Sequence, residues 1–503
     1  MRIETAIKNI KYSVLTYILT YILKFAVRFV FIKNLTIEIL GINGLFGNIL
    51  AMLSFAEIGI GTAIIYSLYK PLAEKDINTV KSLMDLFKKA YRIIGLVIFL
   101  FGFLLLPWLH GFIKNGNNID NLEIYYLIFL VNTSISYFYS YKVSLLEADQ
   151  KQYIYSYCHA IFQISLAIVQ IILLVVFKNY ILYLLSMCIF TFLENYYISK
   201  KVDLLYPFLN LKSSINLCGE IKETIVKNVK AMVIHRFSNT ISYYSGNIII
   251  SKLIGIAAVG IYSNYILGIT VVEALAAQII SATTATVGNL VVLESNEKKI
   301  KIFRVMEFIV AWEAMLMSTG IAVLLNDVIL LWLGKEYVLE ECIAFSFAIS
   351  FYFRFMRRTI LVFRDAYGLY WQDRYKSLAE MIINISLSIY LIIQYGIVGV
   401  IWGGIISNLL TNFWIEPYVL FKNGFKENNL RKYFFRYFIY LFVSILIIIV
   451  IYYISIFFLN EYRLIDFIIK LIVLLIISNL IWYFIFKDTD EFKYILKIVQ
   501  SRR

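Results

Sequence analysis

Residues 437–458 read YFIYLFVSILIIIVIYYISIFF, and none of these 22 side chains is charged. An α-helix needs about 20 apolar residues to cross a bilayer, and a membrane strand would alternate polar and apolar residues instead. Similar runs recur along the 503 residues, of which 61% are hydrophobic and 16% charged. Soluble domains have about 45–50% apolar and about 25% charged residues. The sequence therefore predicts an all-α polytopic membrane protein.

Fourteen apolar runs can be placed along the chain. The second and the eighth are long and rich in glycine, so we expect them to be kinked or tilted. The predicted spans are residues 12–32, 41–67, 91–109, 123–141, 158–177, 180–198, 231–250, 260–292, 305–325, 342–363, 378–394, 397–420, 437–458 and 464–486.

The loops carry an uneven distribution of basic residues. With the N-terminus inside, the inner segments hold 37 Lys and Arg, and the outer loops hold 6; the inner count includes Arg354, Arg357 and Arg358, which the inner end of the predicted span 342–363 partly contains. Cytoplasmic loops are the ones in which Lys and Arg accumulate, so both termini are predicted to be cytoplasmic, and the net charge of +14 needs no nucleic acid to explain it. The remaining four basic residues fall inside predicted spans: Lys24, Arg28, Arg236 and Lys470.

Several classes of enzyme are disfavoured. The four cysteines and three histidines are scattered without metal-ligand spacing, and no GxxxxGK[ST] motif is present. Every outer loop is short, which leaves no room for a catalytic domain of a polymerase or glycosyltransferase. We expect no enzymatic activity and no cofactor, although coupling to Na⁺ or H⁺ stays open.

Polar residues inside the spans indicate an internal repeat. Lys8-Asn9-x-Lys11 recurs 219 residues later, and Glu57 and Glu273 occupy matching places in a second pair of related segments. Two six-helix lobes in one orientation place a transport route between them in known transporters. The predicted domains are an N-terminal lobe at 1–200, a cytoplasmic linker at 201–225, a C-terminal lobe at 226–422, and two extra helices with a basic tail at 423–503.

Ionisable residues at membrane depth mark candidate sites, because each needs a partner or an aqueous cavity. Lys24 and Arg28 are four residues apart and share one helix face. With Arg236 and Arg354 they are the candidate substrate-binding residues, since Lys and Arg bind phosphate oxygens strongly. Snorkelling of Lys24 and Arg28 to the outer interface is the alternative.

The carboxylates leave more than one interpretation. Glu57 and Glu273 are candidates either for a coupling-ion site or for structural ion pairs with Lys24, Arg28 or Arg236. Glu194 and Glu416 lie near the inner ends of their helices, where we expect a solvated or capping role. The basic cluster of Arg354, Arg357 and Arg358 is expected to act mainly as a cytoplasmic anchor, with Arg354 deepest in the membrane.

The residues from Leu40 to Leu72, with GINGLFGN and LSFAEIGIGTA among them, resemble the polysaccharide transporter family. These are bacterial repeat-unit flippases of the multidrug/oligosaccharidyl-lipid/polysaccharide exporter superfamily. The segments 246–252, 259–265, 287–290 and 364–380 support the resemblance, which covers the first twelve helices.

The resemblance implies two six-helix lobes around a cationic cavity and transport by alternating access. The implied cargo is an undecaprenyl-pyrophosphate-linked oligosaccharide for capsule or exopolysaccharide, moved across the bacterial cytoplasmic membrane. A polysaccharide polymerase and a chain-length regulator are the implied partners, besides membrane lipids. By analogy with lipid II flippases, the last two helices would form a groove for the lipid tail. The competing interpretations are a cation-coupled multidrug antiporter of the same fold and a lipid II flippase.

Overall fold

The computed structural model describes residues 2–54, 60–114, 119–210, 237–369, 371–427, 429–458 and 464–501. Throughout these ranges every regular element is a helix, which confirms the predicted all-α membrane fold. Within them, nine helices are long and apolar enough to cross a membrane, or ten if one bent pair counts as a single span. The predicted residues Glu57 and Arg236 lie outside the described ranges.

By internal contact the chain forms two compact units, Met1–Gly260 and Ile261–Arg503. The helices of the first unit are α1 (Arg2–Asn34), α2 (Ile37–Leu53), α3 (Ile60–Glu74), α4 (Ile77–Leu104), α5 (Leu122–Ala148), α6 (Gln152–Val176), α7 (Tyr180–Leu205) and α8 (237–253). Helix α9 (Ile256–Leu293) begins in the first unit and continues into the second. The predicted lobe boundaries stay predictions.

The second unit contains most of α9 and the remaining helices. They are α10 (Asn296–Leu333), α11 (Glu341–Met356), α12 (Arg358–Tyr367), α13 (Lys376–Tyr395), α14 (Ile397–Leu410), α15 (Asn412–Val419), α16 (Leu430–Phe458), α17 (Leu464–Phe486) and α18 (Asp490–Ser501). A π-helical turn, Leu420–Phe425, continues α15.

Local chemistry explains where several spans bend or break. The predicted span 91–109 becomes the long α4, followed by a 3₁₀ helix from Leu106 to Phe112 that departs by 63°. Pro107 at the start of this 3₁₀ helix cannot donate a backbone hydrogen bond, so the α-helical ladder is interrupted there. The predicted span 342–363 breaks at Arg357 into α11 and α12.

The C-terminal helices are attached to α10 by polar contacts as well as by packing. Glu307 on α10 accepts hydrogen bonds from Arg436 on α16, and Lys470 on α17 donates to Asp327. The predicted basic tail folds as α18, whose Phe492 ring lies 6.3 Å from that of Phe308. These contacts hold α16, α17 and α18 against the centre of the second unit.

Candidate functional site

The first unit carries two of the predicted cations in the C-terminal half of α1. Because α1 is one continuous helix, Lys24 and Arg28 lie on the same face, as predicted. The ammonium group of Lys24 lies 5.1 Å from the centre of the Tyr21 ring. This distance corresponds to a cation–π contact. Among the described residues, no carboxylate forms an ion pair with Lys24.

The guanidinium of Arg28 lies beside α7. Its Nη1 atom is buried and makes no hydrogen bond within the described part of the chain. Tyr180 and Tyr183 lie close enough to interact electrostatically with it. The Phe31 ring, one turn along α1, packs edge-on against Tyr180 at 5.8 Å and Tyr183 at 5.2 Å. Arg28 is thus a cation held among aromatic rings, with hydrogen-bonding capacity left for an anion.

The second unit pairs two residues that the sequence assigned to different roles. Arg354 Nη2 lies 2.6 Å from Glu273 Oε1, and both side chains are partly exposed. Arg358, one turn further along, interacts electrostatically with the same carboxylate. The Nε atom of Arg354 is buried and has no hydrogen-bond partner among the described residues. Two guanidinium groups therefore share one carboxylate, and the cluster keeps a net positive charge.

Arg357, at the junction of α11 and α12, points to a different carboxylate. It binds Glu416 in a bidentate manner, Nε to Oε2 at 2.9 Å and Nη2 to Oε1 at 2.7 Å. Lys376 also donates to Glu416, whose exposed fraction is 0%. The expectation that Glu416 is solvated is therefore wrong. Bidentate pairing with arginine and a second cation offset the desolvation of the carboxylate.

Glu194 matches Glu416 in the internal repeat, since Glu194-x-Tyr196 recurs 222 residues later as Glu416-x-Tyr418, and it has a different partner. His159 Nδ1 lies 2.6 Å from Glu194 Oε1, and both side chains are partly buried. Tyr155 stacks on the His159 ring with centroids 5.5 Å apart. The carboxylates at the two matching positions thus differ in their partners: Glu416 binds Arg357 and Lys376, and Glu194 binds His159.

Sequence reasoning missed the acidic side chains of α10. Glu307, Glu313 and Asp327 are all at most 8% exposed, inside a helix that is apolar enough to cross the membrane. Lys470 was recognised as a cation inside a span, and its partner is Asp327 at 2.6 Å. Asp327 lies two residues beyond the predicted span 305–325, so a search for opposite charges confined to the predicted spans would not have found this pair. Nothing in the sequence indicates that Glu313 has no such partner.

No family model matches the sequence, and no curated protein does. Solved structures match the fold at low sequence identity. The lipid II flippase MurJ in an inward closed conformation matches with a TM-score of 0.67 at 14% identity, over 97% of this chain and 99% of that one. The Vibrio cholerae MATE transporter VcmN matches with a TM-score of 0.60 at 13% identity, over 85% and 98%.

An inward-facing multidrug resistance MATE family transporter of the MOP superfamily matches with a TM-score of 0.58 at 13% identity, over 80% of this chain and 94% of that one. The chain therefore has the all-helical membrane fold shared by MATE transporters and MurJ. The match to MurJ extends over the C-terminal helices as well. At these identities the likeness is one of fold, and the polysaccharide transporter family stays a prediction.

Proposed function

We propose that this protein is a flippase that moves an undecaprenyl-pyrophosphate-linked oligosaccharide across the bacterial cytoplasmic membrane by alternating access. The observation that carries the proposal is Arg28, a guanidinium within an apolar helix, whose buried Nη1 atom has no hydrogen-bond partner among the described residues. A buried charge is unfavourable unless it is paired, so a cation in this state fits a protein whose ligand supplies the negative charge.

The second unit supports the same type of ligand. Arg354 and Arg358 outnumber Glu273, so their cluster favours an anion over a cationic drug. Planar guanidinium groups bind phosphate oxygens in a bidentate manner, which suits the pyrophosphate that joins lipid and sugar. Under this proposal Lys24, Arg28 and Arg236 of the first unit and Arg354 of the second are the candidate pyrophosphate-binding residues of their respective units.

A lipid II flippase is the second candidate. The similarity to MurJ over 97% of this chain favours it, and its ligand carries the same lipid pyrophosphate. The two candidates differ only in the headgroup, so the cations of this chain do not distinguish them. A multidrug antiporter would use Glu273 for its coupling ion, which the pairing with Arg354 disfavours.

Mass spectrometry of lipid-linked intermediates tests the proposal. In a strain that lacks this protein, undecaprenyl-pyrophosphate-linked repeat units should accumulate, and the wild-type gene should clear them. Accumulation of lipid II instead would support the second candidate. No accumulation of either lipid would reject both.

The role of the cations is tested with variants in the same strain. The triple variant Lys24→Ala, Arg28→Ala, Arg236→Ala should fail to clear the intermediates while being present in the membrane at normal amounts. Lys33→Ala, on the exposed outer end of the same helix, is the matched control and should behave as wild type. Normal clearance by the triple variant would place the pyrophosphate site elsewhere.

A further inference from the structure

Glu313 differs from the other buried carboxylates of the protein. The described residues include five buried acidic side chains: Glu307, Glu313, Asp327, Asp373 and Glu416. Four of them have a cationic partner, namely Arg436 for Glu307, Lys470 for Asp327, Arg364 and Lys376 for Asp373, and Arg357 and Lys376 for Glu416. Glu313 makes neither an ion pair nor a hydrogen bond with the described chain, and its Oε2 atom is buried.

Glu313 also lies at the middle of its helix. At about 1.5 Å per residue it is about 26 Å from Asn296 and about 30 Å from Leu333, the two ends of α10. Its side chain is 6% exposed. A carboxylate at this depth, without a cation, is strongly disfavoured in its ionised form, and binding a proton removes the charge.

The charges around α10 do not supply the missing partner. The cations on the helices packed against α10 already form ion pairs. Arg436 pairs with Glu307, Lys470 with Asp327, and Arg354 with Glu273. Arg358 on α12 shares Glu273 with Arg354, so that cluster keeps a net positive charge, and Arg304 lies nine residues before Glu313 on α10 itself. Among the described residues none of these cations makes an ion pair or a hydrogen bond with Glu313. Within the described ranges, binding a proton is therefore the way in which Glu313 can lose its charge.

The neighbouring helix α17 carries polar side chains where it packs against α10. Trp312, next to Glu313, donates a hydrogen bond to Asn479 at 2.9 Å, which fixes α17 at this level. Ser478 Oγ and Trp482 Nε1, one helical turn apart on α17, are buried and make no hydrogen bond in the described structure. Buried polar groups are normally satisfied, so both can hydrogen-bond a water molecule, but only the Ser478 hydroxyl can both accept and donate a proton.

A metal cation fits this place less well than a proton. Hard cations take about six oxygen ligands, and no group of three or more His, Cys, Asp or Glu side chains that could hold a metal ion occurs among the described residues. A single carboxyl group is sufficient to bind one proton.

We propose that Glu313 is a proton-binding site whose carboxylate takes up one proton in one conformation of the cycle and releases it in the other. The bound proton is the coupling ion, and its effect on transport comes from a different proton affinity in the two conformations. The coupling role rests on the proposed flippase function, whereas proton binding itself does not.

Infrared difference spectroscopy of the full-length protein in lipid nanodiscs tests proton binding. Between about pH 5 and about pH 9 the wild type should show a protonated-carboxyl band that disappears as the pH rises. Glu313→Gln should lack that band, Glu313→Asp should shift it, and Glu380→Gln on α13 should retain it. A band unchanged in Glu313→Gln, or a Glu313 band that does not titrate, would overturn the proposal.

Transport in proteoliposomes tests the coupling. With undecaprenyl-pyrophosphate-linked oligosaccharide from the deletion strain as the probe, the wild-type rate should rise with an imposed proton gradient. The Glu313→Gln rate should be the same with and without it. A gradient response retained by this variant, or a wild-type response to Na⁺ alone, would reject proton coupling at Glu313. If the wild type moves none of the lipid, the flippase proposal fails, while the infrared result still decides whether Glu313 binds a proton.

Discussion

Gly41 on α2 and Gly260 on α9 occupy equivalent places in one helix crossing. A Cβ atom on Gly41 would lie 1.9 Å from the carbonyl oxygen of Ile256, and one on Gly260 would lie 2.7 Å from that of Ile37. Ile37 and Ile256 are the first residues of α2 and α9, and each glycine follows its own isoleucine by four. Both pairs are separated by 219 residues, the offset of the Lys8-Asn9-x-Lys11 repeat. The two helices thus approach each other with a reciprocal, repeat-related contact.

This crossing should tolerate no side chain. Gly41→Ala and Gly260→Ala should each destabilise the protein by about 1–3 kcal/mol, because the added methyl group meets backbone that cannot move aside. Thermal unfolding of the purified variants measures the effect. Gly47→Ala on the same helix is the control, since nothing lies within 4 Å of its Cβ position, and it should be neutral or slightly stabilising. Equal behaviour of all three variants would contradict the close approach.

The two repeat-related carboxylates should differ in their contribution to stability. Glu416→Gln leaves Arg357 and Lys376 without their shared carboxylate, and such a loss within a buried ion-pair network costs about 3–5 kcal/mol. Glu194→Gln should cost less, because Glu194 has one ion-pair partner rather than two and the pair is less buried. Thermal unfolding at neutral pH compares them, and an equal loss would argue against this difference in environment.

The pair Asp327–Lys470 should connect α17 to α10. Asp327→Asn or Lys470→Met alone leaves one charge unpaired at a largely buried site and should lower the unfolding temperature clearly. The double variant Asp327→Leu, Lys470→Met should recover most of the loss, because it buries no charge. Additive losses in the double variant would show that the two side chains do not interact.

Glu273 should limit how strongly Arg354 binds an anion. Glu273→Gln removes the competing carboxylate 2.6 Å away, and Arg354→Ala removes the cation. We expect the first variant to bind undecaprenyl pyrophosphate up to about fivefold more tightly, since partly exposed pairs contribute about 0.2–1 kcal/mol. The second should bind it more weakly. Titration of the lipid into nanodisc-embedded protein measures the affinity of each variant. If neither affinity differs from that of the wild type, Arg354 does not contribute to the binding site.

The predicted topology can be tested with an impermeant thiol reagent on intact cells. A cysteine introduced at Asn117 should react from outside, and one at Lys298 should not, because the loop charges place them on opposite sides. The experiment needs a background without native cysteines, as Cys342 is exposed. The reverse labelling pattern would reject the fourteen-helix arrangement.

The sequence by itself determined the class of protein and where most helices lie. Continuous apolar runs are a local property of the chain, so runs such as 437–458 could be assigned without knowing their neighbours. The shared helix face of Lys24 and Arg28 could also be predicted from the sequence, because residues four apart in an α-helix always lie on the same face.

Only the tertiary structure decided which charges meet. Glu273 was expected to pair, if at all, with Lys24, Arg28 or Arg236, and its partner is Arg354, 81 positions further along the chain. Lys470 pairs with Asp327 on another helix, and Glu313 has no cationic partner in the part of the chain that the structure describes. Ion pairs depend on which helix faces pack together, and composition and periodicity carry no information about that choice. The proximity of Gly41 to Ile256 has the same cause, because two helix backbones can come this close only where the packing of the whole unit directs them.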